Sequence, residues 1–308
     1  MAASSSDGLS VVIPCFNAGV FVAEAVESVR AQPRLTATEV IVVDDGSNDP
    51  ETCRALHQIE ALPGVRVLRS EANEGVQLAR NRGVGASQFD FVMSLDADDR
   101  LSADPLLSSS GSYTERAMAI LRNDHGIAFV HTMSRMVGAF EGLTISAYPC
   151  REELVVAKHH VPTSIVYRRE DAMAGAIYNP QIQKWQDWSF AVGLLDNRWK
   201  RGLENRIGFI HGAFHEYRVH GDSRRISAAA IDEYEMVLRT VEAHFGLFQK
   251  YYGKEEGSEA IARRVLSLKP SRLLDLLHMA AFDLNQAQRV IRERQFALIS
   301  PYSDLGIP

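Results

Sequence analysis

Cysteine is scarce in this chain, and the residues that do occur are widely separated. Cys15, Cys53 and Cys150 are odd in number and show no CxxC spacing. This pattern argues against a disulfide framework and against a structural zinc site, because both need matched cysteines at short or regular spacings. The sequence therefore favours a reducing, cytoplasmic setting.

Long apolar runs and an excess of positive charge are also missing. No stretch approaches the roughly 20 apolar residues of a membrane-spanning helix. Residues 1–8 are small and polar, so we expect a disordered tail there rather than a signal peptide. The net charge of −6 argues against a general nucleic-acid-binding protein. We expect a cytoplasmic protein whose contact with a membrane, if it has one, is peripheral.

The first part of the chain alternates short β-branched runs with segments of helical spacing. Strands are predicted over residues 9–13, 39–43, 65–68 and 89–95, and helices over residues 20–31, 51–61 and 74–87. This order predicts an α/β fold with a mostly parallel sheet and helices on both faces. Right-handed crossovers place the carboxyl ends of parallel strands at one edge of the sheet.

The rest of the chain has a less regular pattern. Its predicted elements are a flexible loop over residues 108–112, a helix over 116–123, strands over 127–137 and 164–167, a helix over 185–197 and an extended segment over 207–219. From residue 231 onward the pattern is helical, with helices predicted over residues 231–245, 258–268 and 271–297, the last capped by Ser271. The 308 residues suit one large domain with a helical appendage.

Three polar segments follow predicted strands and should meet at one edge of the sheet. They are residues 14–17, 44–47 and 96–99. In the third segment, Asp96 and Asp98 lie two residues apart, which puts both carboxylates on the same side of an extended chain. Crowded carboxylates repel one another unless a cation lies among them, and Mg²⁺ or Mn²⁺ binds such oxygens together with substrate phosphates. The pattern favours a divalent-cation site over its alternative, a solvated acidic turn.

The two earlier loops carry groups that suit a nucleotide. Asp44 and Asp45 can accept hydrogen bonds from a ribose hydroxyl or a base N–H, as acidic residues do at related strand ends. Phe16 offers an aromatic face, and Asn17 offers an amide for the edge of a base. Each loop also has a purely structural explanation, as a tight turn or a polar connection.

Taken in order, these segments resemble the motifs of family 2 glycosyltransferases of the GT-A fold. The resemblance is carried by residues 11–17 (VVIPCFN), 42–47 (VVDDGS), 73–75 (NEG), 79–83 (ARNRG) and 95–99 (LDADD). It is dense over about the first hundred residues and looser to about residue 223.

The sequence pattern and the resemblance together predict a division of the chain, although the resemblance itself does not extend beyond about residue 230. The expected parts are a tail over residues 1–8, a GT-A catalytic domain over 9–226 and a helical C-terminal region over 227–308. Within the catalytic domain, residues 9–100 form the nucleotide-sugar half and residues 101–226 the acceptor half.

On the donor side, the resemblance implies a role for each matched residue. The residues implied to bind the nucleotide are Pro14, Phe16, Asn17, Asp44, Asp45, Arg80 and Asp96. Asp98 is implied as the direct metal ligand, and Asp96 is implied to contact both the ribose and the metal. Asp99 is implied to assist at the donor sugar or at the metal.

On the acceptor side, Gln186-Asp187-Trp188 resembles the Glu-Asp-Trp segment of the family at the start of a helix. The match keeps Asp187, the implied general base, and has Gln186 where glutamate is usual, which removes a charge beside the base. The alternative is that Asp187 only stabilises a helix N-terminus.

Residues 217–223 resemble a Tyr-Arg-x-His segment found late in these domains. The resemblance makes His220 a further candidate metal ligand. Arg218, Arg224 and Arg225 either neutralise a leaving diphosphate or form an ordinary solvated basic loop.

The implied function is a metal-dependent, inverting glycosyltransferase of the hexosyl or N-acetylhexosaminyl type, which uses Mn²⁺ or Mg²⁺ and a nucleotide-sugar donor such as a UDP-sugar. The sequence does not identify the acceptor, which the family leaves open among glycans, lipid-linked molecules, small molecules and peptides. A nucleotidyltransferase and a non-catalytic sugar-nucleotide or glycan-binding protein remain as alternatives. A haloacid-dehalogenase-like phosphatase is disfavoured, because Arg100 stands where those enzymes usually carry Thr or Val.

The C-terminal helical pattern presents a broad apolar face over residues 266–298. The sequence leaves open which of three occupants covers that face: the catalytic domain of the same chain, a second copy in a homodimer, or a membrane surface.

Overall fold

Nine strands join into one sheet in the part of the chain that the computed structural model describes. Those residues are 6–33, 37–139, 141–143, 151–157, 161–175, 177–220, 231–268, 276–277, 279–281 and 283–293. In chain order the strands are β1 (Gly8–Cys15), β2 (Ala37–Asp44), β3 (Val65–Arg69), β4 (Phe91–Ser94), β5 (Arg100–Leu101), β6 (Ile127–Gly138), β7 (Gly142–Leu143), β8 (Val166–Arg168) and β9 (Arg206–Val219). Their order across the sheet is β3-β2-β1-β4-β8-β6-β9-β5, with β7 paired to β6.

The first four strands of the chain pair in parallel, as the alternating pattern predicts. β8 then runs antiparallel to β4 and to β6, whereas β9 runs parallel to β6. β5 pairs antiparallel with the far side of β9. The predicted α/β class is therefore confirmed, and the direction of the strands becomes mixed from β8 outward.

The register of the central strands brings the polar loops to one level. Cys15 on β1 lies opposite Asp44 on β2, and Val12 on β1 lies opposite Ser94 on β4. The segments that follow these strands therefore leave the sheet at neighbouring points of one edge, where open α/β sheets bind ligands.

Helices cover both faces of the sheet. In chain order they are α1 (Phe21–Arg30), α2 (Pro50–Glu60), α3 (Val76–Ala86), α4 (Pro105–Ser108), α5 (Tyr113–Asn123), α6 (Glu152–Ala157), α7 (Arg169–Met173), α8 (Gln186–Lys200), α9 (Glu233–Ala243), α10 (Phe245–Tyr252), α11 (Ser258–Ser267) and α12 (Leu284–Glu293). On β1, Val11 and Ile13 belong to the core under α1, α2 and α5, whereas Val12 belongs to the core under α3 and α8. Because both faces are buried, the central strands are continuous apolar runs.

Several predicted element boundaries are wrong for local reasons. The helix predicted over residues 116–123 begins at Tyr113, because the Ser112 hydroxyl accepts a hydrogen bond from the Glu115 amide. The helix predicted over residues 231–245 runs from Glu233 to Ala243 and ends at His244, which leaves helical geometry with φ of −124° and bonds Asp196 at 2.9 Å; α10 follows directly. β8 begins at Val166, two residues later than predicted.

The C-terminal helical residues pack on the sheet of the same chain. Met279, Ala287 and Val290 are buried in a cluster with Met133 and Ala213, which lie on β6 and β9. This contact agrees with the first of the three occupants considered for the apolar face. A single helix over residues 271–297 is wrong, since Asp283 lies outside helical structure and α12 begins after it; Ser271 lies outside the described residues. No helix in the described part of the chain is long and apolar enough to cross a membrane.

Candidate active site at the carboxyl edge of the sheet

The loops after β1 and β2 are tied together by Asn17. Its side-chain oxygen accepts hydrogen bonds from the Asn48 and Asp49 amides, both at 3.0 Å, and its side-chain nitrogen donates to Asn48 Oδ1 at 3.1 Å. Asn17 adopts a left-handed conformation with φ of 49°, which asparagine tolerates better than most residues. Next to it, Phe16 is 47% exposed, whereas Pro14 is buried at the end of β1. The loop therefore presents an aromatic ring to solvent on a braced backbone.

The two aspartates after β2 are buried and bind backbone amides. Asp45 accepts hydrogen bonds from the amides of Glu74 and Gly75, at 2.9 and 2.8 Å, and these residues lead into α3. Asp44 accepts one from the Ser47 amide at 3.0 Å. Asp45 thus connects the nucleotide-side loop to the start of α3.

Two glycines allow close packing around these elements. Gly46 has φ of +76°, and a Cβ there would lie 2.6 Å from the backbone of Ala72. A Cβ on Gly83 would lie 2.3 Å from Val12 Cγ1, so α3 rests directly on β1. Both positions require glycine for steric reasons.

Arg80 lies at the centre of the candidate site. It extends from α3 with 1% of its side chain exposed, and its Nη2 lies 2.5 Å from Asp96 while its Nη1 lies 2.9 Å from Asp187. The Tyr178 ring lies 4.9 Å from the guanidinium carbon. Burial lowers the pKa of Arg80, but the charges of Asp96 and Asp187 outweigh burial and raise it above its ordinary value.

Asp187 lies in the first turn of α8, where a carboxylate is stabilised by the helix dipole. The residue before α8, Trp185, adopts the left-handed region with φ of 64°, which is costly for a bulky side chain. Gln186 Oε1 is buried and has no hydrogen-bond partner among the described residues. Trp188 is buried and donates through Nε1 to the Val155 carbonyl at 2.6 Å, so it anchors the helix.

The acidic segment after β4 forms a tight turn in which the Asp99 amide donates to the Asp96 carbonyl. Asp98 points outward: its Oδ2 lies 2.8 Å from His220 Nε2, and the two side chains are 40% and 30% exposed. The Phe21 ring lies 5.6 Å from the imidazole of His220. Asp98 and His220 therefore form an accessible oxygen and nitrogen pair at the sheet edge.

Asp99 points the other way, into the core. Its Oδ2 lies 3.0 Å from His215 Nε2, its Oδ1 accepts from the Arg218 amide at 2.8 Å, and His215 Nδ1 lies 2.7 Å from the Ser134 hydroxyl. Burial raises the pKa of Asp99 to about 6, against the hydrogen bond and charge of His215. Burial lowers the pKa of His215, but its bond to Asp99 and the charge of that residue raise the value overall.

Arg218 braces the acidic turn from outside. Its Nε donates to the Asp98 carbonyl at 2.8 Å, its Nη2 donates to Glu24 at 2.6 Å, and its guanidinium lies 4.2 Å from the Phe21 ring centre. These contacts engage Arg218 within the protein. Arg224 and Arg225 lie outside the described residues.

The side chains suit an ion such as Mg²⁺, which keeps several ligands from substrate and water, better than an ion that is held by protein ligands alone. No group of three or more His, Cys, Asp or Glu side chains in the described residues is placed to hold an ion. Asp98 supplies a carboxylate oxygen, the ligand type that Mg²⁺ and Mn²⁺ prefer beside substrate phosphates, and His220 supplies a neighbouring nitrogen. The donor set thus fits a cation whose remaining ligands come from a bound diphosphate and water.

Known proteins supply an independent test of the family resemblance. Residues 10–128 match the family model described as Glycosyl transferase family 2. The putative teichuronic acid biosynthesis glycosyltransferase TuaG of Bacillus subtilis is 34% identical over 190 residues, which cover 61% of this chain and 71% of TuaG. The chain belongs to glycosyltransferase family 2.

Other family 2 relatives match over shorter stretches. The uncharacterized glycosyltransferase YibD of Escherichia coli is 40% identical over 98 residues, which are 32% of this chain and 28% of YibD. The succinoglycan biosynthesis protein ExoU of Rhizobium meliloti is 35% identical over 99 residues and is also covered over 28% of its length. The chain thus spans under a third of these two relatives.

Solved structures confirm the GT-A fold of this family 2 glycosyltransferase. S. aureus TarS 1–349 in complex with UDP-GlcNAc superposes with a TM-score of 0.63 at 18% identity, covering 89% of this chain and 73% of the TarS chain. The mannosyltransferase PcManGT of Pyrobaculum calidifontis, in complex with GDP-Man and Mn²⁺, gives 0.53 at 16% identity, covering 96% and 82%. At these identities the likeness concerns the fold.

The structure brings most of the predicted site residues of the glycosyltransferase to one edge, but several of them are buried, Asp44, Asp45 and Arg80 among them. Asp96, Asp187 and Arg80 are in direct contact, and Asp98 meets His220. Pro14, Asp99 and Trp188 are buried, and the contacts of Asp99 and Trp188 are internal. Their predicted ligand roles remain untested, and for Asp99 and Trp188 the internal contacts suit a structural role better.

Sequence reasoning missed His215, Ser134 and Tyr178. His215 and Ser134 lie within β9 and β6, where nothing in the strand pattern separates a buried polar side chain from an exposed one. Tyr178 lies between α7 and α8, in a stretch with no recognisable motif. Their contacts depend on pairings far apart in sequence.

Proposed function

We propose that the protein is an inverting glycosyltransferase that moves a sugar from a UDP-sugar to an acceptor hydroxyl. The observation that carries this proposal is that Arg80 bridges Asp96 and Asp187, which holds a donor-side carboxylate and an acceptor-side carboxylate close together at the edge of the sheet. Membership of family 2 supports the reaction class, and the UDP-GlcNAc complex of TarS supports the choice of donor nucleotide.

The nucleotide would bind over the loops after β1 and β2. Phe16 supplies the exposed aromatic face for the base, while Asn17, Asp44 and Asp45 brace the backbone around it. Loop amides and the remaining lone pairs of the two carboxylates would then meet the edge of the base and the ribose. Pro14 shapes the end of β1 beneath this surface.

The diphosphate would lie near Asp96, Asp98 and His220. Together with the phosphates, these side chains would hold Mn²⁺ or Mg²⁺, which supplies Lewis-acid stabilisation of the negative charge on the leaving diphosphate. Asp98 and His220 keep a carboxylate oxygen and an imidazole nitrogen at the surface, 2.8 Å apart, for that purpose.

In the chemical step, Asp187 accepts the proton of the acceptor hydroxyl as a general base. The acceptor oxygen forms a bond to the anomeric carbon as the bond from that carbon to the diphosphate oxygen breaks. The electron pair of the broken bond leaves with the nucleoside diphosphate. A single displacement from the face opposite the leaving group inverts the configuration at the anomeric carbon. Trp188, through its bond to the Val155 carbonyl, holds the start of α8, and thus Asp187 and its neighbour Gln186, on the acceptor side.

A donor panel tests the proposal. UDP-, GDP- and dTDP-sugars are each added with and without Mn²⁺ or Mg²⁺, and melting temperature and product release are measured. A ligand at 100 times its Kd should stabilise the protein by about 2.7 kcal/mol. We expect metal-dependent stabilisation by UDP-sugars and slow release of UDP and free sugar when the acceptor is water.

Asp187→Asn should lose turnover while keeping its affinity for UDP, because the amide cannot accept the proton as a carboxylate does. Release of sugar 1-phosphate instead of UDP would identify a nucleotidyltransferase, because transfer of the nucleotidyl group breaks the bond between the two phosphates. Binding of donors without any turnover in the wild-type protein, across acceptor mixtures, would identify a sugar-nucleotide-binding protein. Undiminished transfer by Asp187→Asn would remove Asp187 from the mechanism.

A further inference from the structure

We propose that Arg80 is a positioning residue for the general base and does not bind the donor diphosphate. This inference rests on the proposed function, in which Asp187 is the base. The family resemblance places Arg80 near the nucleotide base and the phosphates of the donor, but its contacts in the structure point to a different role. Its two terminal nitrogens are directed at Asp96 and Asp187, which lie 16 and 107 residues away in sequence.

The surroundings of Arg80 leave it poorly placed to meet a ligand. Its side chain is 1% exposed, the Tyr178 ring covers one face, and its Nε is buried without a partner among the described residues. A phosphate could reach the guanidinium only by displacing Asp96 or Asp187. Removing either carboxylate from a buried arginine is costly, since an uncompensated charge is left behind.

Two residues on the same face of α3 as Arg80, Gln77 and Asn81, hold the segment that leads into α8. Gln77 donates to the Ile182 carbonyl at 2.7 Å. Asn81 donates to the Tyr178 carbonyl at 2.7 Å and accepts from the Tyr178 amide at 2.8 Å. Positions three and four apart share one face of a helix, so this face of α3 fastens residues 178–187 as a unit. Arg80 lies on the same face of α3 and bonds Asp187, the proposed general base, directly.

α3 is also fixed at its other contacts. Gly83 places it directly against Val12 on β1, and the amides of Glu74 and Gly75 before its first turn bind Asp45. A chain of direct contacts therefore runs from Asp45, through α3 and Arg80, to Asp187. These contacts fix the position of Asp187, the proposed general base, relative to the loops that would hold the nucleotide.

The backbone just before Asp187 has an unfavourable conformation that needs contacts such as those of Arg80 to hold it. Trp185 has φ of 64°, a conformation that persists only where the surrounding contacts enforce it. The guanidinium group of Arg80 provides one such contact, because it bonds both Asp187 and Asp96 and so holds the first turn of α8 against Asp96. A general base displaced by about 1 Å can cost about 100-fold in rate without any loss of substrate affinity.

The test compares Arg80→Lys with Arg82→Lys, a matched control on an exposed side of the same helix, where Arg82 bonds only Ser70 among the described residues. Lysine keeps the charge but cannot donate to two carboxylates at once. The measurements are the Kd of UDP with Mn²⁺ by calorimetry and kcat at saturating donor. For Arg80→Lys we expect a Kd within about threefold of wild type and a kcat lower by about 100-fold, whereas Arg82→Lys should change neither.

A Kd weakened tenfold or more would identify Arg80 as a donor ligand and overturn the proposal, as would an unchanged kcat. If Arg80→Lys does not fold, Asn81→Ala serves instead, since it loosens the same segment without touching a buried charge. It should lower kcat and leave the Kd unchanged, and the reverse pattern would also overturn the proposal. Failure of the proposed function is distinguishable, because then the wild-type protein shows no transfer or Asp187→Asn retains it.

Discussion

Two aspartate–histidine pairs lie side by side at the carboxyl edge of the sheet, and they differ in their access to solvent. Asp98 and His220 are 2.8 Å apart and 40% and 30% exposed, whereas Asp99 and His215 are 3.0 Å apart and 1% and 2% exposed. The chemical groups and the distances are nearly the same. Burial alone separates an accessible pair from a pair that ties the turn after β4 to β9.

The geometry of one turn and one strand explains the difference. Asp98 and Asp99 are adjacent in a tight turn, so their side chains diverge. His215 lies on β9, and His220 directly follows the last residue of β9, five positions later; an odd spacing along an extended chain directs side chains to opposite faces. One pair is therefore directed to solvent and the other to the core.

The largest expected effect follows from Asp98→Asn, which tests the exposed pair. Loss of the carboxylate removes a proposed metal ligand, so turnover should fall by about 10³-fold, equal to about 4 kcal/mol of transition-state stabilisation. Mn²⁺ binding in the presence of UDP, followed by electron paramagnetic resonance, should weaken in parallel. The unfolding free energy should change by less than about 0.5 kcal/mol, as for other surface changes.

Asp90→Asn, an exposed aspartate just before β4 at the other end of that strand, is the matched control and should leave turnover unchanged. Normal Mn²⁺ affinity and turnover in Asp98→Asn would contradict the assignment of the exposed pair.

The second prediction concerns the buried pair. His215→Leu leaves Asp99 buried without its partner, so the free energy of unfolding should fall by about 3 kcal/mol. His220→Leu breaks a partly exposed pair and should cost less than about 1 kcal/mol. Urea unfolding at pH 7.5 measures both values. Equal losses for the two variants would break the comparison, because burial would then not distinguish the pairs.

The third prediction extends the comparison to His131, a buried histidine on β6. Neither of its ring nitrogens has a hydrogen-bond partner among the described residues, and the Phe209 ring lies 4.9 Å away. Burial lowers the pKa of His131 from 6.5 to about 3. The unfolded chain therefore binds a proton below pH 6.5 that the folded protein does not bind, and stability falls by about 1.4 kcal/mol per pH unit between those values.

Comparison with His131→Leu isolates this contribution. Between pH 7.5 and pH 5, wild type should lose about 2 kcal/mol more than the variant, in urea unfolding at each pH. The contribution of His131 is fully present above pH 6.5 and is lost as the pH falls toward 3. Unfolding free energies that stay parallel across this range would show that His131 is protonated, or hydrated, in the folded state.

Sequence patterns located most of the fold and much of the candidate site. β1, β2 and β4 are buried over most of their length, so each contains an apolar run that is followed by polar residues, and β1, β2 and β3 were predicted to within two or three residues. Predictions were weaker where tertiary contacts end an element, as at His244, which turns aside to bond Asp196. The mixed strand directions from β8 outward were not predicted, because they depend on pairing between distant segments.

The sequence by itself determined the family, the α/β class and the convergence of residues 14–17, 44–47 and 96–99 at one edge, because strand ends are marked locally and parallel strands share an edge. Only the tertiary structure decided that Asp98 faces solvent while Asp99 faces His215, and that Arg80 joins Asp96 to Asp187. The physical reason is that burial and ion pairing depend on which segments meet in space. Those meetings span up to 122 residues here, between Asp98 and His220, and leave no local pattern in the chain.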